Sequence, residues 1–110
     1  MIKGMADKLW FINHLSKDDR YLFVDFGCAD GTLIYILSQM REFPNGCEFI
    51  GYDISEEMVG LAKTKYDWGT NNNVSFYSNQ EELYKGITAK APTASKRVLI
   101  LSSVIHEIYS

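Results

Sequence analysis

The sequence predicts an α/β fold, a parallel sheet with helices packed on its faces. Three observations lead there. Strand-length apolar runs recur at Tyr21–Phe26, Glu48–Tyr52, Val74–Tyr77 and 97–102. Segments with helical spacing or helix-start residues separate the first three runs. No internal repeat or low-complexity stretch competes with that alternation. Strands joined through helices imply right-handed crossovers and therefore parallel pairing.

The elements follow in order. Met5, Leu9 and Ile12 recur at helical spacing, so 5–15 reads as a first helix. Residues 16–20 form a polar turn, and Tyr21–Phe26 is apolar enough to be a strand buried on both faces. After Gly31, the residues Leu33, Ile36, Leu37 and Met40 mark one face of a helix that closes near Pro44, Asn45 and Gly46. Glu48–Tyr52 is the second strand. Ser55 reads as the N-cap of the next helix, with Glu56 and Glu57 complementing its dipole and Met58, Leu61, Ala62 and Tyr66 as its inner face. Asn71, Asn72 and Asn73 form a loop before the short strand Val74–Tyr77. One or two helical turns are expected over 80–84, then a long connection over 85–96 rich in Gly, Pro, Ser and Thr. A fourth strand at 97–102 precedes a helix beginning near Val104.

Composition bounds the rest. The 110 residues suit one small domain, 1–110, and 46% hydrophobic content supplies a core. A net charge of −3 offers no basic footprint for a nucleic-acid backbone. The longest apolar run, 98–101, is far too short to cross a bilayer, and the first residues carry no secretory pattern. Cys28 and Cys47 have no metal-ligand spacing and read as buried free thiols, which suits a reducing, cytoplasmic location. No cluster suggests a metal.

The chemistry concentrates at Asp25-Phe26-Gly27-Cys28-Ala29-Asp30-Gly31-Thr32. A strand ends in a carboxylate, breaks into a glycine turn and opens a helix. That sequence of events brings backbone N–H groups to the carboxyl end of a parallel strand, where open α/β sheets hold nucleotide-like ligands. The dinucleotide pattern G-x-G-x-x-G is not met, because Thr32 stands where its third glycine belongs. Asp25 would repel a phosphate and attract a cation. Asp53 ends the second strand, ~5 Å from the first in a parallel sheet, and could accept hydrogen bonds from both hydroxyls of a ribose. Cation site, close backbone and ribose clamp together suit an adenosyl ligand with an amino-acid tail and no phosphate.

On these residues the chain resembles the class I S-adenosylmethionine-dependent methyltransferase family. Residues 24–33 are similar to its first motif, and Phe49-Ile50-Gly51-Tyr52-Asp53-Ile54-Ser55 with Met58 to its second. The segment 74–79 matches the third strand and 98–107 the fourth, so the resemblance covers about residues 20–110. It implies a Rossmann-like sheet of about seven strands, of which four are present. The chain is therefore expected to be truncated, the cofactor-binding portion of a larger domain and inactive alone. The apolar edge at 98–101 is expected to invite self-association.

The resemblance also implies roles. Gly27, Cys28, Ala29 and Gly31 would frame the methionine tail and sugar, Asp25 would face the cationic end, and Asp53 would hold the ribose. Ile54 and Met58 would flank adenine, with Asn79 contacting its amino group or merely capping a helix. Ser102 and Ser103 would lie near the sulfonium, and His106 would be the base where the acceptor is a hydroxyl. Asp25 and Asp30 have a simpler reading as partners of local backbone donors. Ala29 replaces the family's middle glycine and is expected to keep a negative φ. The implied function is methyl transfer from S-adenosylmethionine to an acceptor the sequence does not identify. The alternative is an adenosyl-binding or assembly domain without catalysis.

Overall fold

The computed structural model describes residues 20–39, 47–68, 73–93 and 96–101. Within them lie β1 (Tyr21–Phe26), α1 (Thr32–Gln39), β2 (Glu48–Tyr52), α2 (Glu56–Lys65), β3 (Val74–Tyr77), α3 (Gln80–Lys90) and β4 (Lys96–Leu101). The expected helices over 5–15 and from Val104, and the turn at 44–46, lie outside the described residues.

The strands form one parallel sheet in the order β3-β2-β1-β4. β1 is central, and its buried apolar residues alternate between two cores. Tyr21 and Phe23 pack with Leu33, Ile34 and Leu37 of α1 and with Val59 and Ala62 of α2. Leu22 and Val24 pack with Ile50 and with Leu83 of α3 on the opposite face. Helices thus cover both faces, as a doubly wound α/β sheet requires. β4 is the edge of the described sheet on its side, and Leu99 there is 62% exposed.

Three expectations change. On α1 the buried stripe is Leu33, Ile34 and Leu37, with Ile36 only half-buried and Met40 outside the described residues. On α2 the inner face is Val59 and Ala62, while Met58 and Leu61 are 41% and 45% exposed. The reason is close approach. A Cβ at Gly31 would stand 3.1 Å from the Ala62 methyl and 3.2 Å from the Phe76 ring, so a larger residue than Ala62 would lift α2 off the sheet.

The third change concerns 85–96, expected as a connection. α3 continues to Lys90, and a short 3₁₀ turn (Ala91–Thr93) leads on towards β4. Gly86, a loop signal in the sequence, is buried under the Tyr77 ring, where an added Cβ would meet Cε2 at 2.6 Å. The last turn is tied down by Lys90, whose ammonium donates to Glu48 Oε2 at 3.0 Å. A glycine at a tight helix–strand crossing carries the same sequence signature as a loop glycine.

Candidate functional site

The register of the sheet assembles the site. Phe26 ends β1 opposite Tyr52, so Gly27 leaves β1 beside the end of β2. The Tyr52 carbonyl accepts from Gly27 N–H at 2.7 Å and Cys28 N–H at 2.9 Å. The Tyr77 carbonyl accepts from Asp53 N–H at 3.2 Å, which carries the ladder past the end of β3. Three consecutive strand ends are thereby aligned beneath one rim.

The turn itself is left-handed three times over. Gly27 has φ +80°, Ala29 φ +48° and Gly31 φ +83°. At Gly31 the sign of φ and the closeness of Ala62 and Phe76 both require glycine. Ala29 does not keep the negative φ expected of it. An L-residue in this conformation costs about 1–2 kcal/mol, and local bonds hold it there. Ala29 N–H donates to Asp53 Oδ2 at 2.9 Å, and Gly31 N–H donates to Cys28 O at 2.9 Å.

The N–H groups that the turn brings to the strand ends are therefore engaged within the protein. Those of Gly27 and Cys28 serve Tyr52, that of Ala29 serves Asp53, and that of Gly31 serves the turn. Asp53 is the hub. Its Oδ1 accepts from Ser55 N–H at 2.9 Å while its Oδ2 accepts from Ala29. Each carboxylate oxygen has a second lone pair, so the group retains capacity for hydroxyl donors. Ser55 caps α2 as expected, its hydroxyl accepting from Met58 N–H at 3.2 Å.

The other expected residues separate by environment. Ile54, next to Asp53, is 84% exposed, an apolar side chain standing at the rim. Met58 is partly exposed one turn into α2. Asn79 is the N-cap of α3: its Oδ1 accepts from Glu81 N–H at 2.8 Å and Glu82 N–H at 3.2 Å. Its acceptor oxygen is thus committed to the helix. Asp25 is 0% exposed within β1, opposite Gly51 and Ile100. Its side chain is enclosed in the sheet beneath the turn. Burial, then Asp25 and Asp53, push the pKa of the neighbouring Cys28 thiol up to about 12. Ser102, Ser103 and His106 lie outside the described residues.

Asp30 does what its simpler reading requires, and more. Its Oδ1 accepts from Thr32 N–H at 3.2 Å and the Thr32 hydroxyl at 2.7 Å, and its Oδ2 pairs with the Lys65 ammonium. Partial burial raises its pKa, but the bonds from Lys65 and Thr32 together outweigh it and hold the carboxyl below the usual range. Sequence spacing could not show Lys65 as the partner, since 35 residues separate the two. Gly51 was the one available signal of another missed feature. An isolated glycine in a strand marks close approach, and the Phe76 ring lies across it, 2.6 Å from where a Cβ would stand.

A family model described as a methyltransferase domain matches residues 17–90. Among solved structures, the chain is similar to magnesium protoporphyrin IX methyltransferase from Synechocystis PCC 6803 with bound S-adenosylmethionine: 23% identity, TM-score 0.54, covering 89% of this chain and 56% of that one. A complex between the Haloferax volcanii Trm112 methyltransferase activator and the candidate methyltransferase is similar at 27% identity and TM-score 0.43, covering 68% of this chain and 32% of that one. The chain thus spans about a third to just over half of these structures. No curated protein sequence matches.

Proposed function

The chain belongs to the methyltransferase-domain family, and we propose from this that it binds S-adenosylmethionine at the rim formed by the glycine turn and Asp53, as the cofactor-holding part of a methyltransferase. One observation carries the reading. The Asp53 carboxylate is fixed by two backbone N–H groups, keeps lone pairs for a ribose, and stands beside the exposed Ile54. A sugar clamp next to an apolar platform fits an adenosine.

The residues present suit the whole ligand. Gly27, Cys28 and Ala29 would lie along the sugar and amino-acid tail, with Ile54 and Met58 against the adenine. The Asp53 carboxylate, held by neutral backbone donors, favours a cation near the rim. When bound, S-adenosylmethionine supplies an activated sulfonium methyl group. The chain's own contribution is then to orient the ligand and complement its charge. His106 would serve as the base where the acceptor is a hydroxyl.

Calorimetric titration with S-adenosylhomocysteine tests the reading. Saturable one-to-one binding is expected, weakened at least about tenfold by Asp53→Ala through loss of charged hydrogen bonds. Absence of binding to the unaltered protein, or binding indifferent to Asp53→Ala, refutes it.

A further inference from the structure

The glycine turn is gripped from two sides. On one, Ala29 N–H is bonded to Asp53. On the other, the adjacent Asp30 is drawn to the C-terminal end of α2, where Lys65 takes one carboxylate oxygen and Thr32 the other. The Thr32 hydroxyl has a single proton, and it goes to Asp30. The 2.7 Å contact between Thr32 Oγ1 and the Tyr66 hydroxyl is therefore donated by Tyr66.

Tyr66 is itself held. It stacks on Tyr35 at 4.3 Å between ring centres and 13° between planes, with Trp68 edge-on at 5.9 Å. The Trp68 ring N–H donates to Ala62 O at 2.9 Å, and Ala62 is the residue that packs on Gly31. A continuous set of contacts leaves the turn at Asp30, passes through the end of α2, and returns to the turn at Gly31. Ala29 sits between the two grips in a conformation that persists only when its surroundings over-determine it.

We infer that Lys65 and Tyr66 are positioning residues for the cofactor: by holding Asp30 and Thr32 they keep Ala29 N–H aimed at Asp53, so the ribose-binding carboxylate is set before the ligand arrives. This rests on the adenosyl reading of the rim. Nothing in the family match assigns these two residues a role. Their polar groups also suit this task better than a load on the fold. The Lys65 side chain is 43% exposed, and exposed ion pairs add little to stability. The stacking of Tyr66 on Tyr35 does not need its hydroxyl. What the ammonium and the phenol add is direction, transmitted to a turn that must meet a ligand at fixed geometry.

Two variants isolate those groups. Lys65→Met keeps the aliphatic stem, and Tyr66→Phe keeps the ring. In the full chain, each is expected to weaken S-adenosylhomocysteine binding about 3- to 10-fold by calorimetry, and Lys65→Arg is expected to restore it. Amide hydrogen exchange separates positioning from general stability. The amides of Ala29 and Gly31 are expected to exchange faster in both variants. Leu83 N–H, bonded to Asn79 O in α3, is expected to be unchanged. Unaltered affinity, or acceleration of the Leu83 amide together with the turn amides, overturns the inference. If the unaltered protein takes up no S-adenosylhomocysteine, the adenosyl reading falls. The exchange pattern then still decides whether Lys65 and Tyr66 hold the turn.

Discussion

Replacing Ala29 by glycine is expected to make the protein more stable. Ala29 lies exposed in the turn with φ +48°. The methyl group therefore contributes no burial, and its removal leaves no cavity. Relief of the left-handed conformation returns about 1–2 kcal/mol. Glycine's greater freedom in the unfolded chain takes back about 0.4–1 kcal/mol. The net is about 0–1.6 kcal/mol, and its central value of about 0.8 kcal/mol corresponds to roughly 3–6 °C in the thermal midpoint for a domain of this size. The bond from residue 29 N–H to Asp53 survives, because it is a backbone donor. Urea titration followed by circular dichroism, with a differential scanning calorimetry run, measures the change. Ala29→Val supplies the opposite case, since a β-branched residue fits the left-handed region worse and is expected to destabilise by more than glycine stabilises. A glycine variant less stable than the parent would refute the claim that the turn carries strain at Ala29.

The other predictions concern four separate residues. Gly60 lies on α2, and a methyl group added there would meet nothing within 4 Å among the described residues, so Gly60→Ala is expected to stabilise by about 0.5–1 kcal/mol. Gly86→Ala on α3, which meets the Tyr77 ring, is expected to destabilise by about 1–3 kcal/mol, and chemical denaturation of the pair compares them directly. The Cys28 thiol, pushed up to about 12, is ionised to about one part in ten thousand at pH 8. Mass spectrometry is therefore expected to find it unmodified after iodoacetamide treatment of the folded protein and modified after unfolding. Asp30 has a lowered folded pKa, so the unfolded chain binds its proton first as pH falls. Its contribution is full above the ordinary value of 3.8 and is lost as pH drops through the lower folded value. An NMR titration of the Asp30 carboxyl is expected to show a midpoint below the ordinary value, and a midpoint at or above it would contradict the assignment.

The parts of the fold that depend on local pattern were legible in the sequence. Tyr21–Phe26 is apolar on both faces because β1 is central, and the Ser55-Glu56-Glu57 start of α2 is marked by its own capping chemistry. Parallel pairing followed from the alternation of strands with helices and the handedness of their crossovers. What was not legible depends on depth and on partners distant in sequence. Met58 and Leu61 look like a core stripe, and only the approach of Gly31 and Phe76 to Ala62 shows that the smaller residue faces the sheet. The position of Asp25 at the end of a motif says nothing of how far below the turn its side chain is buried. Asn79 had two readings in sequence, and the geometry commits its oxygen to capping α3.

Three aspartates surround the turn, and their environments divide the labour in a way that bears on which ligand the rim can take. Asp30 is matched by the Lys65 ammonium, so its charge is largely answered locally. Asp53 is held by neutral backbone N–H groups, which orient its charge without cancelling it. Asp25 is buried beneath the turn, away from solvent screening. Burial first, then Asp25 and Asp53, raise the pKa of the Cys28 thiol between them. A phosphate-binding turn needs unengaged N–H groups. Here the N–H groups of Gly27, Cys28 and Ala29 are already bonded to Tyr52 and Asp53. Spacing alone argued against a dinucleotide, and hydrogen-bond accounting argues against it independently, whereas a ligand that brings hydroxyl donors to Asp53 and an apolar ring to Ile54 meets both conditions.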